Sequence, residues 1–138
     1  MLRVLTLEEL FDAVETLALA RAPRGERLAI LTNGGGVGVM ATDALMDAGG
    51  TLATLSAETL AKLDAVLPAT WSRANPIDII GDASAERYTA ALQAVLGAPE
   101  VDALLVLNCP TAVTSPDEAA SAVLAALPSP IKHSLFTS

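Results

Sequence analysis

The chain has 138 residues, 52% of them hydrophobic, which is enough apolar surface for one ordinary domain with one core. An aromatic content of 3% and a formal charge of −8 argue against nucleic-acid partners: there is little to stack bases on, and the surface repels phosphate backbones. The single cysteine, Cys109, excludes an internal disulfide and a thiolate zinc site, and no apolar run reaches the ~18 residues of a membrane span, so the sequence reads as a soluble cytoplasmic protein.

Thr6-Leu7-Glu8-Glu9 has the form of a capping box, and Leu7, Leu10, Phe11, Val14, Leu17 and Ala18 recur at helical spacing, which predicts a helix from about Leu7 to Ala20 with one packed face. Arg27 to Thr32 is a short apolar run suited to a strand covered on both sides. It leads into Asn33-Gly34-Gly35-Gly36-Val37-Gly38 and a helix whose stripe is Val39, Met40, Ala44, Leu45 and Ala48, ending at Gly49-Gly50. Thr51 to Leu55 suits a second strand, and Ser56 caps a helix carrying Leu60, Leu63 and Leu67 up to Pro68. Trp71 lies in the linker that follows, where an aromatic anchors a loop onto a core or meets another domain.

Asn75-Pro76-Ile77-Asp78-Ile79-Ile80 reads as a third, shorter strand, Ser84 to Leu96 as a helix, and Val101 to Leu107 as a fourth strand. Ser115-Pro116-Asp117-Glu118 is a capping box with proline at the first helical position, opening a helix that ends near Leu127. Ile131 to Phe136 is the candidate fifth strand. Strands alternating with helices imply an α/β fold, a flavodoxin-like three-layer α/β/α arrangement with a five-stranded parallel sheet in the order 2-1-3-4-5. Ligands of such sheets sit beyond the carboxyl ends of the strands at the switch point, here between strands 1 and 3.

Three turns meet at that edge. Asn33, Gly34, Gly35, Gly36, Val37 and Gly38 place main-chain N–H groups at a helix N-terminus, a design for holding phosphate, although the spacing is neither a P-loop nor a dinucleotide fingerprint. The same glycines also suit a tight turn with close helix–strand packing. Asn75, Asp78, Gly81, Asp82, Asn108, Cys109 and Thr111 form a secondary candidate site; for Asn75 and Asp78 the competing role is hydrogen bonding to main chain around the turn, and for Cys109 simple packing. No residue is assigned as catalytic and no metal ligand set accompanies these turns. His133, the only imidazole, lies near the chain end without a partner motif.

Thr6-Leu7-Glu8-Glu9-Leu10-Phe11-Asp12, Leu31 to Val39 with Asp43, Leu67-Pro68 and Asn75 to Ala83, in this order and spacing, resemble the ADP-forming (NDP-forming) acyl-CoA synthetases, relatives of succinyl-CoA synthetase that include proteins fused to an acetyltransferase domain. The resemblance covers nearly the whole chain. It implies a single ligase domain over residues 1–138, the second of two flavodoxin-like modules and the counterpart of the carboxyl-terminal domain of the succinyl-CoA synthetase β subunit. Such enzymes form an acyl phosphate, pass the phosphoryl group to a histidine and then to a nucleoside diphosphate, and leave the acyl group on CoA.

The resemblance further implies a parent protein that uses CoA, ATP or ADP, and Mg, with a CoA-binding domain, a phosphohistidine-bearing module and an ATP-grasp domain as partners. The isolated domain then binds no cofactor of its own, contacts phosphate or nucleotide, has no turnover alone and associates with sister modules or as a homo-oligomer. Gly34, Gly35 and Gly36 are the leading phosphate donors. The second donor set, Cys109, Pro110, Thr111 and Ala112, departs from the family, which has glycines there, and proline has no N–H. His133 does not match the phosphohistidine motif, and both chain ends read as boundaries within a longer protein. Two other readings compete: a non-catalytic module sensing CoA or nucleotide for a fused acyltransferase, and an FMN-binding flavodoxin-like protein, which the scarcity of aromatics disfavours.

Overall fold

The computed structural model describes residues 4, 6–19, 23 and 25–127, with only the backbone of residues 9, 12, 16, 17 and 19. Two compact units divide the chain, one of Met1–Pro23 with Pro128–Ser138 and one of Arg24–Leu127. In the first, α1 spans Leu7–Leu19, and the Leu10 N–H bonds back to the Thr6 carbonyl. Leu7, Leu10, Phe11 and Val14, the face expected to pack, are exposed. The Glu9 side chain of the expected capping box, the candidate fifth strand at 131–136 and His133 lie outside the described residues.

The second unit runs β1 (Arg27–Thr32), α2 (Gly35–Asp47), β2 (Thr51–Leu52), α3 (Ala57–Asp64), β3 (Ile77–Asp78), α4 (Ala85–Val95), β4 (Ala103–Leu107) and α5 (Pro116–Ala126). All pairings among the described strands are parallel, as strands joined through helices require. Alternation sends Ala29 and Leu31 into a core with Leu63 of α3, Tyr88, Leu92 and Val95 of α4 and Ala119 of α5. Ile30 and Thr32 face the other way, where Thr32 meets α2 at Gly38. The sheet therefore has helices on both faces, and each fully buried Leu, Ile or Val contributes roughly 1.5–3 kcal/mol. Trp71 is buried in the same core as a loop anchor, its indole N–H donating to Asp64 Oδ1 at 2.7 Å.

The strand order differs from 2-1-3-4-5. β4 pairs directly with β1 from Leu28↔Ala103 to Thr32↔Leu107, so β3 does not lie between them. β2 and β3 instead share the opposite edge of β1, β2 at Arg27 and Leu28 and β3 at Leu31 and Thr32. The physical reason is the Asn75 side chain. Its Oδ1 accepts the Ile30 N–H, and its Nδ2 donates to the carbonyls of Leu28 and Ala53, each at 2.9 Å. The carboxamide replaces a peptide group where β2 leaves the sheet and β3 enters, so both strands fit on one edge as two-residue pieces. The carboxyl ends of β1 and β4 consequently lie side by side.

The stripe expected on α2 is also displaced. Val39 and Met40 are exposed, and the packed side runs through Gly38, Ala41, Thr42 and Leu45. Gly38 is buried, and a Cβ there would come within 3.0 Å of Thr32 Cγ2 and 3.2 Å of Pro76 Cβ, so the helix lies tight on the sheet and any larger residue would have to push these neighbours aside.

Two carboxylates tie down the amino edge. Asp102 receives Arg27 Nε at 2.8 Å and Nη2 at 2.9 Å, joining the starts of β1 and β4. Glu100 Oε1 accepts the Ser56 N–H at 2.9 Å and the Thr59 hydroxyl at 2.7 Å at the head of α3. Hydrogen bonds to Thr59 and Ser56 hold the Glu100 carboxyl down at about 2, and those from Arg27 hold Asp102 at about 2. Unfolded, both titrate in the ordinary range, so their stabilisation is complete above that range and is lost as pH falls toward about 2. Urea unfolding is expected to show a large stability drop between about pH 7 and about pH 3 that shrinks in Glu100→Gln; an equal drop in that variant would contradict the assignment.

Candidate phosphate-facing site

Thr32, the last residue of β1, turns its hydroxyl to accept the Gly34 N–H at 3.0 Å, and the chain enters α2 one residue later. Gly38 N–H bonds back to the Gly34 carbonyl at 3.1 Å. Of the six residues of this turn, Gly34 and Gly38 thus donate their N–H groups within the protein. Gly35, Gly36 and Val37, the first three helical residues, donate to no acceptor among the described residues.

That distinguishes α2 from its neighbours. Ser56, Ser84 and Ser115 cap α3, α4 and α5 by accepting from Thr59, Arg87 and Glu118, and acidic residues occupy the first turn of each. The Ser115–Glu118 capping box is complete, which closes the head of α5. α2 has Gly34 at its cap, no side-chain bond and no acidic residue in its first turn. Gly34 is required sterically, because a Cβ there would run into Cys109 Sγ. At Gly36 nothing lies within 4 Å of where a Cβ would stand, so neither packing nor backbone geometry within the described residues demands a glycine.

The three turns predicted from sequence are brought together. Asn33, 4% exposed, accepts the Cys109 N–H on Oδ1 at 2.7 Å and donates from Nδ2 to the Cys109 carbonyl at 2.9 Å. Asp78 accepts the Ile80 N–H at 2.9 Å, and its other oxygen lies 2.8 Å from where a Cβ on Gly35 would be. Ile80 has φ +70°, a left-handed conformation that costs a β-branched residue about 1–3 kcal/mol and is held by that bond. The Thr114 hydroxyl donates to the Ala83 carbonyl at 2.7 Å and links the β4 turn to the β3 turn.

The remaining candidates have protein partners or lie outward. Asp82 is exposed and pairs with Arg87, and Gly81 is exposed beside the Asn33 carbonyl. The Thr111 hydroxyl accepts weakly from Val113 N–H at 3.4 Å. Asn108 Oδ1 accepts the Tyr88 hydroxyl at 3.0 Å, and burial, reinforced by the nearby Cys109, pushes that phenol up to about 12, so it stays a donor. Asn75 belongs to the sheet, as described. Sequence reasoning gave no role to Thr32 or Tyr88, whose hydroxyls bond to the first and third turns; Thr32 stands within the Leu31 to Val39 motif but was read only as the end of a strand, and Tyr88 stands in no motif. Among the described residues no three His, Cys, Asp or Glu side chains stand close enough to hold a metal ion, and no helix is long and apolar enough to cross a membrane.

Comparison with known proteins places this architecture. Residues 28–130 match the model of the Ligase-CoA domain. The chain is 47% identical over 107 residues to an acetate–CoA ligase [ADP-forming] I from Archaeoglobus fulgidus, covering 78% of this chain and 15% of that protein. It is 39% identical over 123 residues to the acetate–CoA ligase [ADP-forming] I subunit alpha of Pyrococcus furiosus, covering 89% of this chain and 26% of that subunit. Among solved structures, the dinucleotide forming acetyl-coenzyme A synthetase 1 of Ca. Korarchaeum cryptofilum in complex with phosphate and ADP superposes with a TM-score of 0.83 at 40% identity, covering 94% of this chain and 27% of that one. The chain thus spans about a quarter or less of the length of these relatives. A family match over most of the chain, with an agreeing fold, establishes that the chain belongs to the Ligase-CoA domain family.

Proposed function

We propose that this domain serves an ADP-forming acyl-CoA synthetase by presenting the first turn of α2 to the phosphoryl group that travels between acyl phosphate, histidine and nucleotide. The observation that carries the reading is the open head of α2: three N–H groups without a protein acceptor among the described residues, on the one helix of α2–α5 that has neither a side-chain cap nor an acidic first turn. Such a terminus carries about half a positive charge and suits an anion. Relatives named as ADP-forming ligases, and one solved with phosphate and ADP, support the same chemistry.

The domain's part in the reaction is electrostatic. During phosphoryl transfer negative charge spreads over the equatorial oxygens, and N–H groups already aimed at them need no reorganisation. Gly36 and Val37 are the most accessible donors, because the Asp78 carboxylate stands beside Gly35 and directs a second anion away from it. The absence of a Cβ at Gly36 leaves room for phosphate or the loop that bears it. The phosphohistidine, CoA, nucleotide and magnesium would be held by other domains of the parent, and the isolated chain has no turnover.

An amide-resolved NMR titration of the 138-residue chain with inorganic phosphate, ADP and CoA tests this. Saturable shifts at Gly35, Gly36 and Val37 are expected with phosphate, and with ADP through its terminal phosphate. No response from these amides at millimolar phosphate would sink the reading.

A further inference from the structure

We propose that Asn33 is a positioning residue that joins the turn after β1 to the turn after β4, and that it acts through the Cys109 main chain without touching phosphate. The inference rests on the phosphate reading above only for the ligand-bound half of its test. The β1–β4 ladder ends at Thr32↔Leu107, after which the two chains part, one into α2 and one toward Pro110. The buried Asn33 carboxamide bridges that gap, giving Cys109 both the acceptor and the donor that a neighbouring peptide would supply. Both hydrogen bonds of its carboxamide go to the Cys109 main chain.

The partner turn is fixed from its other side as well. Tyr88 donates to Asn108 Oδ1 at 3.0 Å, and Pro110 has no N–H, so Cys109 is the last main-chain donor before Thr111. The N–H groups of Thr111 and Ala112 have no protein acceptor among the described residues. Holding Cys109 therefore sets where these donors stand relative to Gly35, Gly36 and Val37. Asparagine is the side chain of the right size: aspartate loses the donor and glutamine is one methylene too long.

The test compares the wild-type chain with Asn33→Ser and Cys109→Ala by NMR; the second variant keeps the Cys109 main chain and removes only the thiol. Without ligand, Asn33→Ser is expected to speed exchange of the Cys109 amide about tenfold or more and to shift amides in both turns, while Cys109→Ala leaves that amide protected. With inorganic phosphate, the wild-type turns are expected to titrate with one shared Kd, and in Asn33→Ser the Thr111 and Ala112 signals no longer follow those of α2. Unchanged Cys109 exchange in Asn33→Ser overturns the proposal. So does loss of the phosphate response with an unaltered ligand-free spectrum, which would make Asn33 a direct contact. If the wild type itself shows no phosphate response, the phosphate reading fails and ligand-free exchange alone decides the role of Asn33. Should Asn33→Ser not fold, Asn33→Asp tests the donor half: it keeps the acceptor for Cys109 N–H, so that amide is expected to stay protected, while loss of the bond to the Cys109 carbonyl is expected to shift the Thr111 and Ala112 amides, and unshifted amides there would overturn the proposal.

Discussion

Asn75→Ala is expected to destabilise the domain by about 2–4 kcal/mol, the combined penalty of leaving buried main-chain groups unpaired. The Ile30 N–H and the Ala53 carbonyl lose their partner outright, whereas the Leu28 carbonyl keeps its bond from the Ala53 N–H at 2.8 Å. The loss is a large share of the roughly 5–15 kcal/mol that holds such a domain together, and the melting temperature should fall by on the order of 10 °C or more. Asn75→Asp is the sharper variant. It has the same size and keeps the acceptor for Ile30, yet it sets a carboxylate against two carbonyls, so it should cost at least as much. If either variant stayed within about 0.5 kcal/mol of wild type, as exposed substitutions do, Asn75 would not be the element that lets β2 and β3 share an edge.

The second large effect is expected at Gly36, with the opposite sign for stability and for binding. No atom lies within 4 Å of where its Cβ would be, and the position is exposed near the start of α2. Gly36→Asp therefore meets no clash, relieves a helical glycine and adds a negative charge at the positive end of the helix dipole. Stability should hold or rise by about 0.5–1.5 kcal/mol. The same carboxylate occupies the place proposed for phosphate, and repulsion between the two anions should weaken phosphate binding about tenfold or more. Such a result would separate close packing at Gly34 and Gly38 from the anion access proposed for Gly36.

How much of this was legible in the sequence depended on whether the signal was local. The apolar run Arg27 to Thr32 matches β1, and Ser115-Pro116-Asp117-Glu118 forms its capping box, because each contains its own physical cause. Asn75 to Ile80 has strand composition but yields only the pair Ile77–Asp78, on the edge already begun by β2. What decides that placement is a side chain bonded to residues 22 to 47 positions away, which no local pattern encodes. The packed face of α2 was obscured for a related reason. Gly38 and Thr42 carry no apolar signal, although Gly38 is buried against Thr32 of the sheet, while the more hydrophobic Val39 and Met40 are exposed.

The candidate site shows the same division. The turn Asn33 to Gly38 was evident as a strand-to-helix glycine turn, but which of its N–H groups are open depends on the Thr32 hydroxyl, and where it stands relative to the β4 turn depends on the Asn33–Cys109 pair. The Cys109 N–H, one of the expected secondary donors, is engaged by Asn33, which leaves Thr111 and Ala112 from that set.

The most direct test of the central claim, that the open head of α2 receives phosphate, is a paired titration of the wild-type chain and Gly36→Asp with inorganic phosphate, read at the Gly35 and Val37 amides. The account predicts saturable shifts in the wild type and at least about tenfold weaker binding in the variant, with thermal stability equal or higher. Equal phosphate affinity in the two proteins would contradict it and place any phosphate contact elsewhere on the domain.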